Sequence, residues 1–279
     1  MLVVAALRWT DPRATVHPLT GEVRTDPYAG GAAPADQCAL EHALRIADGL
    51  GGRCLALTAG PPTAEEMLRE ALAAGAHDVL RVEAPDSGRS DADDTAHALY
   101  SVLVERNLRP DVVVCGDRST DRGTGTTPAR LAALFGAAQA LGLVELGVDG
   151  GELRAVRRLD AGRREVLGVP LPAVCSVEPG AVRLRRAPLA AALAARTAPI
   201  PTVSVAAADT PASRIRAGRV RPYRPRPRVL PAPEGDGPRD RLLALTGAHT
   251  APRTPPLLVT PRDPAEAARI LLDYLRTRA

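Results

Sequence analysis

Short runs of continuous apolar residues alternate along this chain with longer segments whose apolar residues recur every three or four positions. A continuous run marks a strand buried on both faces, and the longer spacing marks an amphipathic helix. Leu2–Leu7, Arg53–Thr58, Val79–Glu83 and Asp111–Cys115 read as strands. Between them, residues 36–48, 63–75 and 93–107 read as helices. The first carries Ala39, Leu40, Ala43, Leu44 and Ala47 on one face, and the third carries Ala96, Leu99, Tyr100 and Leu103. Thr63 with Glu66 reads as a capping box for the second, and Gly75 as its stop. A polar loop then leads from the fourth strand into a helix near Ala129–Phe135. Strand and helix in this alternation predict parallel strands joined by crossover helices.

From about Leu141 the rhythm changes. Asp149-Gly150-Gly151 and Asp160-Ala161-Gly162 are turn signals between short apolar runs, and predict an antiparallel meander ending at Val177. Ala187–Ala195 predicts a short helix. The stretch from Pro199 to about Pro238 is rich in Pro and Arg, so it tends toward extended geometry and buries no core alone. Asp263, Pro264 and Glu266 have the order of a helix start, with Ala267, Ile270, Leu271 and Tyr274 as the expected buried face.

Composition narrows the function. Aromatic residues are 2% of the 279, too few for a base-stacking platform, so nucleic acid is not an expected partner. The core must come from Ala, Leu and Val. All 36 basic side chains are Arg, and the net charge of +4 concentrates at Arg183–Arg186 and Arg214–Arg228. Pro and Gly interrupt this basic run, which suits an arm seizing an acidic protein surface. Cys38, Cys54, Cys115 and Cys175 form no C-x-x-C pair and read as small core residues. Leu2–Leu7 is too short for a signal peptide or a membrane span, so a cytoplasmic protein without membrane insertion is expected. His17, His42, His77, His97 and His249 lack metal-ligand spacing, and His42 is expected to face solvent or a partner. Ser119 lies in no G-x-S-x-G elbow. With no nucleophile–base set, a carrier is expected rather than an enzyme.

The informative loop is Cys115 to Pro128. In an open parallel sheet, ligands sit beyond the carboxyl ends of strands, and a helix N-terminus suits phosphate. Gly123 and Gly125 permit close backbone approach, while Thr124, Thr126 and Thr127 supply hydroxyls. An ordinary polar loop capping a helix has the same spacing, and neither a Walker lysine nor G-x-G-x-x-G is present.

Arg8-Trp9-Thr10-Asp11-Pro12 resembles the K-R-V-P-D-P of electron transfer flavoprotein beta subunits. Residues 36–45 are similar to their N-P-[FY]-[DC]-E-x-A-[VL]-E-x-A-[VL]-R helix start, 57–61 to T-x-G-P, and 68–76 to L-R-x-A-L-A-x-G-A. Gly116 to Thr127 falls where that family has G-x-Q-[AS]-I-D-x-D-x-x-Q-[TV], and Leu171–Val174 matches L-P-A-V. The resemblance is colinear from Met1 to about Ala195 and looser at the terminal helix. It implies an open, mostly parallel α/β sheet of Rossmann-like or adenine nucleotide alpha hydrolase-like kind over 1–197, with flanking helices and a small antiparallel extension. An extended C-terminal arm would follow over 198–262, then a partner-docking helix over 263–279.

The same resemblance implies a non-catalytic subunit that buries AMP beside an alpha subunit carrying most of the FAD, and that passes electrons from a dehydrogenase to a quinone-side acceptor of the respiratory chain. Carried over by position, Ala5, Ala33, Pro34, Ala35, Asp36 and Ala59 would contact the adenosine side, and Gly116, Asp121, Gly123, Thr124, Gly125, Thr126 and Thr127 the phosphate. Leu189, flanked by Arg185 and Arg186, resembles the segment by which the family docks its dehydrogenase. The family's Asn and aromatic at the helix start are Ala33 and Ala35 here, and its loop Gln, Asp and Gln are Arg118, Gly123 and Thr126. A bifurcating type with a second FAD in place of AMP, and a stand-alone nucleotide-binding module, remain alternatives. A dedicated system, such as one serving mycofactocin-dependent dehydrogenases, is one setting for so divergent a member.

Overall fold

The structure, a computed structural model, describes residues 1–26, 28–83, 92–180, 182–205, 236–246 and 258–278. Its first half is β1 (Leu2–Leu7), β2 (Trp9–Thr10), β3 (Thr15–Val16), β4 (Val23–Arg24), β5 (Gly31–Ala32), α1 (Pro34–Gly49), β6 (Arg53–Gly60), α2 (Glu65–Ala74), β7 (Asp78–Glu83), α3 (Ala92–Glu105) and β8 (Val112–Gly116). The second is α4 (Thr127–Phe135), β9 (Ala138–Asp149), β10 (Glu152–Arg158), β11 (Arg164–Val169), β12 (Ala173–Val177), α5 (Leu189–Thr197), β13 (Thr202–Ser204), α6 (Pro238–Thr246) and α7 (Pro264–Arg278). Residues 1–223 and 224–279 form two separate compact units.

The first unit is an α/β fold around a nine-stranded sheet of order β11-β10-β9-β12-β8-β1-β6-β7-β13. The seven strands from β9 to β13 in that order are parallel, and β10 and β11 extend the β9 edge as an antiparallel hairpin. Strands β1 and β8 are buried on both faces, as their continuous apolar runs require. Alternate residues feed two cores. Val3, Ala5, Val112 and Val114 pack with α1 and α2, while Val4, Ala6, Val113 and Cys115 pack with α3 and α4. The chain runs from β1 outward through β6 to β7, then returns to place β8 on the other side of β1. That reversal opens a crevice beyond the carboxyl ends of β1 and β8.

Several expectations need correction. Thr63 and Glu66 form no capping box: a 3-10 turn over Pro62–Ala64 precedes α2, whose N-cap Ala64 has no side-chain bond, and Glu66 pairs with Arg69 at 3.4 Å. Gly75 does stop α2, at φ 115°. Ala173–Val177 is not a meander strand but lies parallel between β8 and β9. Thr202–Ser204, at the start of the expected extended arm, adds a parallel strand beside β7. Residues 206–235, which hold the basic run Arg214–Arg228, lie outside the described residues.

His42 does not face solvent. It is 3% exposed, and its Nδ1–H donates to the Leu146 carbonyl at 2.7 Å. Burial lowers its pKa, the carbonyl bond opposes this, and Arg45 adds to the lowering. The cause is that α1 is covered twice, by the sheet and by residues 182–185. There Cys38 Sγ–H meets the Val182 carbonyl at 3.0 Å, and buried Glu41 accepts from Arg185. All four cysteines are buried and unpaired, as expected; burial pushes the Cys54 and Cys175 thiols up to about 12.

In the second unit, Asp263 accepts the Glu266 N–H at 2.8 Å and Glu266 returns to the Arg262 N–H at 2.7 Å, so the start signal of α7 is realised. The face expected to be buried is open instead: Leu271 and Tyr274, with Leu272 and Leu275, are exposed.

Candidate functional site

The crevice beyond β1 and β8 is lined from six directions. β1 and the residue after it give Ala6, Leu7 and Arg8, and β6 gives Ala59. The first turn of α1 gives Asp36, and α3 gives Thr95 and Leu99. β8 and its loop give Cys115, Gly116, Arg118, Ser119, Arg122, Thr124 and Gly125, and the start of α4 gives Thr127 and Pro128.

The loop is held by its own bonds. Ser119 N–H donates to the Thr124 carbonyl and Gly123 N–H to the Ser119 carbonyl, both at 2.8 Å. Asp117 N–H donates to the Val177 carbonyl at 3.0 Å, so β12 anchors the loop's root. Gly123 takes φ 65° at the turn. A Cβ on Gly125 would collide with the Asp117 carbonyl oxygen, so this glycine serves the loop's own packing. A Cβ on Gly116 would lie 3.1 Å from Ala35 Cβ and 3.3 Å from Asp36 N, so Gly116 lets the α1 N-terminus press against β8.

Arg8, Arg118 and Arg122, with the hydroxyl residues Ser119, Thr124 and Thr127, line the crevice together with the start of α4. Such a set suits an oxyanion. Arg8 bridges to Asp121 through Nε at 2.9 Å and a terminal nitrogen at 2.6 Å. Burial alone would raise the Asp121 pKa; these bonds outweigh it and hold the carboxyl below its ordinary value. Arg118 is exposed and pairs with no carboxylate among the described residues. Asp36 is 5% exposed, and burial pushes its pKa from 3.8 up to about 7, despite the Arg8 N–H at 3.2 Å and the Arg8 charge, with Asp117 and Asp121 adding to the rise.

Of the residues selected from sequence, Asp36, Ala59, Gly116, Thr124, Gly125 and Thr127 meet in this crevice. Ala5 does not: it faces the α1 side of the sheet, and its neighbour Ala6 lines the crevice. Ala33, Pro34 and Asp121 line an adjoining hollow with Thr10, Gln37 and Glu70. Ala35 is buried against β8, Gly123 shapes the turn, and Thr126 is the N-cap of α4 without a side-chain bond. Leu189 stands 76% exposed at the start of α5, and Arg186 is exposed. Arg185 is engaged internally, by Glu41 at 3.1 Å and Asp48 at 3.0 Å. Sequence reasoning did not select Arg8, Arg118, Arg122 or Ser119. Their signal was an arginine directly after β1 and two more within the loop, at strand ends the topology brings together.

A model of the electron transfer flavoprotein domain matches residues 25–208, about two thirds of the chain. The chain belongs to the electron transfer flavoprotein family. Among curated relatives, Protein FixA of Rhizobium meliloti (strain 1021) is 32% identical over 189 residues, covering 65% of this chain and 64% of its own. The electron transfer flavoprotein subunit beta of Mycobacterium tuberculosis (strain ATCC 25618 / H37Rv) is 36% identical over 146 residues, 50% of this chain and 53% of its own. The acryloyl-CoA reductase electron transfer subunit gamma of Anaerotignum propionicum is 36% identical over 100 residues, 36% and 38%. The matches span between about a third and two thirds of these relatives' lengths. They place this electron transfer flavoprotein chain among electron-transfer subunits of the beta type. No helix among the described residues is long and apolar enough to cross a membrane.

Proposed function

We propose that this chain is the small subunit of a heterodimeric electron transfer flavoprotein. It holds AMP in the β1–β8 crevice and supports FAD carried mainly by an alpha subunit, with no catalysis of its own. Electrons would pass from a dehydrogenase, through that flavin, to a quinone-side acceptor, in the cytoplasm. The observation that carries the reading is the crevice itself, which brings apolar Ala6, Leu7, Ala59 and Leu99 together with three arginines, the hydroxyl residues Ser119, Thr124 and Thr127, and Asp36. A flat apolar base with a monophosphate at one end fits that combination.

Two exposed features suit partners. The start of α5 presents Leu189 and Leu193, with Arg69 donating to the Ala195 carbonyl at 3.2 Å and to the Ala198 carbonyl at its far end. An exposed leucine on so firmly mounted a helix is a fit anchor for a dehydrogenase. The open Leu271, Leu272, Tyr274 and Leu275 of α7 suit a groove on the alpha subunit.

Co-expression with a flavin-carrying alpha subunit tests the reading. The expected product is a complex with AMP and FAD in equal amounts, whose flavin a dehydrogenase reduces. Two FAD and no AMP would mean the bifurcating type. A chain that purifies alone and never associates with a flavoprotein subunit contradicts the proposal.

A further inference from the structure

Asp36 lines the crevice with 5% of its surface exposed. Its Oδ1 accepts the Arg8 N–H at 3.2 Å, and no side chain among the described residues donates to it. The guanidinium of Arg8 is turned to Asp121 instead. The other groups around Asp36 are the Cys115 thiol of β8, and Asp117, Arg118, Asp121 and Arg122 of the loop. From α3, β6 and α4 come Thr95, Leu99, Ala59, Thr127 and Pro128, none of which titrates near neutrality. The α1 N-terminus favours an anion at this position, and burial opposes it. Burial prevails, and the carboxyl titrates at about 7.

A phosphate entering the same crevice adds negative charge close to this carboxyl. Repulsion in a partly dry site then favours the protonated acid beside bound nucleotide. We propose that the crevice binds its adenine nucleotide together with a proton held on Asp36, an inference that rests on the nucleotide reading above. Affinity then falls as pH rises through the titration of free Asp36, because binding must first restore the proton. If bound phosphate raises the acid's affinity for its proton tenfold, AMP binds about fivefold more weakly near pH 8 than near pH 6. The phosphate's own second ionisation, near pH 6, acts in the opposite sense.

The test is calorimetric titration with AMP of the full-length chain, in complex with its flavoprotein partner and first stripped of bound adenine nucleotide, at about pH 7.5 in PIPES and in Tris, whose ionisation heats differ. Wild type is expected to take up roughly half a proton per AMP. Asp36→Asn should take up none and bind AMP about fivefold more tightly than wild type near pH 8. Heats that do not differ between buffers, or an equal pH dependence in the variant, overturn the inference and leave the nucleotide site standing. Absence of AMP binding at every pH overturns both. Should the variant fail to fold, the wild-type buffer dependence decides by itself.

Discussion

Replacing Glu41 by Gln is expected to cost about 2–3 kcal/mol near neutral pH and little in acid. The Glu41 side chain is 3% exposed, yet it accepts four hydrogen bonds, the longest from an Arg185 terminal nitrogen at 3.4 Å. Arg45 Nε lies at 2.7 Å, the Arg185 backbone N–H at 3.0 Å and Arg185 Nε at 3.1 Å. Gln keeps the volume and one acceptor oxygen but turns an NH2 group toward guanidinium donors. Hydrogen bonds to a charged group are worth about 1.5–3 kcal/mol each, and breaking a buried pair costs about 3–5. Arg185 is 36% and Arg45 54% exposed, so water partly replaces the lost acceptor and the lower end applies. Burial alone would raise the Glu41 pKa, but the Arg185 and Arg45 bonds hold it below the ordinary 4.5. Its stabilisation is therefore full above that ordinary value and lost as pH falls through the lower folded one. Urea unfolding of wild type, Glu41→Gln, Arg185→Gln and the double variant near pH 7 should give a coupling of about 1–2 kcal/mol, shrinking strongly near pH 3. An additive cycle at neutral pH, or an equal loss at both, would refute the reasoning. The pair also ties the segment before α5 to α1, so the same variant should loosen the mount of Leu189.

Other outcomes follow from the crevice and from α5. Asp36 has a raised folded pKa, so wild type should lose stability between about pH 4 and pH 7, by up to about 4 kcal/mol. Asp36→Asn should remove that slope in melting temperature against pH, and parallel curves for the two proteins contradict it. Gly125→Val forces the loop off Asp117, and Thr127→Asp places a charge against phosphate, so both should lower the nucleotide recovered from denatured protein. Stoichiometric recovery from both means another loop binds it. Leu189→Ala should leave melting unchanged, since the side chain is 76% exposed, but slow electron acceptance from the cognate dehydrogenase several-fold, an anchor of this kind being worth ~2 kcal/mol. A less stable variant with a normal rate rejects the docking role.

Strands β1, β6, β7 and β8 were legible because their middles are buried on both faces, and a two-sided strand writes an unbroken apolar run, as in Val112–Cys115. Strand neighbours were not. Ala173–Val177 has the local look of any short strand, and its place between β8 and β9 depends on a long-range pairing that local pattern does not encode. Helix periodicity likewise reports one apolar face, so it missed the second cover over α1 that buries His42 and Glu41. The loop after β8 could be found because it leaves a buried strand for a helix, whereas neighbouring residues of β1 face opposite sides of the sheet, so that Ala6 lines the crevice and Ala5, carried over by position, packs toward α1. Arg8, Arg118 and Arg122 became a set only through the reversal of strand order that brings the ends of β1 and β8 together.

The central claim is that the crevice holds an adenine nucleotide. Its most direct measurement is mass-spectrometric identification and quantification of the nucleotides released when the purified full-length chain, in complex with its flavoprotein partner, is denatured. The account predicts one AMP per chain alongside one FAD per complex, with the AMP lost from Thr127→Asp while the FAD is retained. A complex that carries one FAD, transfers electrons normally and releases no adenine nucleotide of its own from this subunit contradicts it.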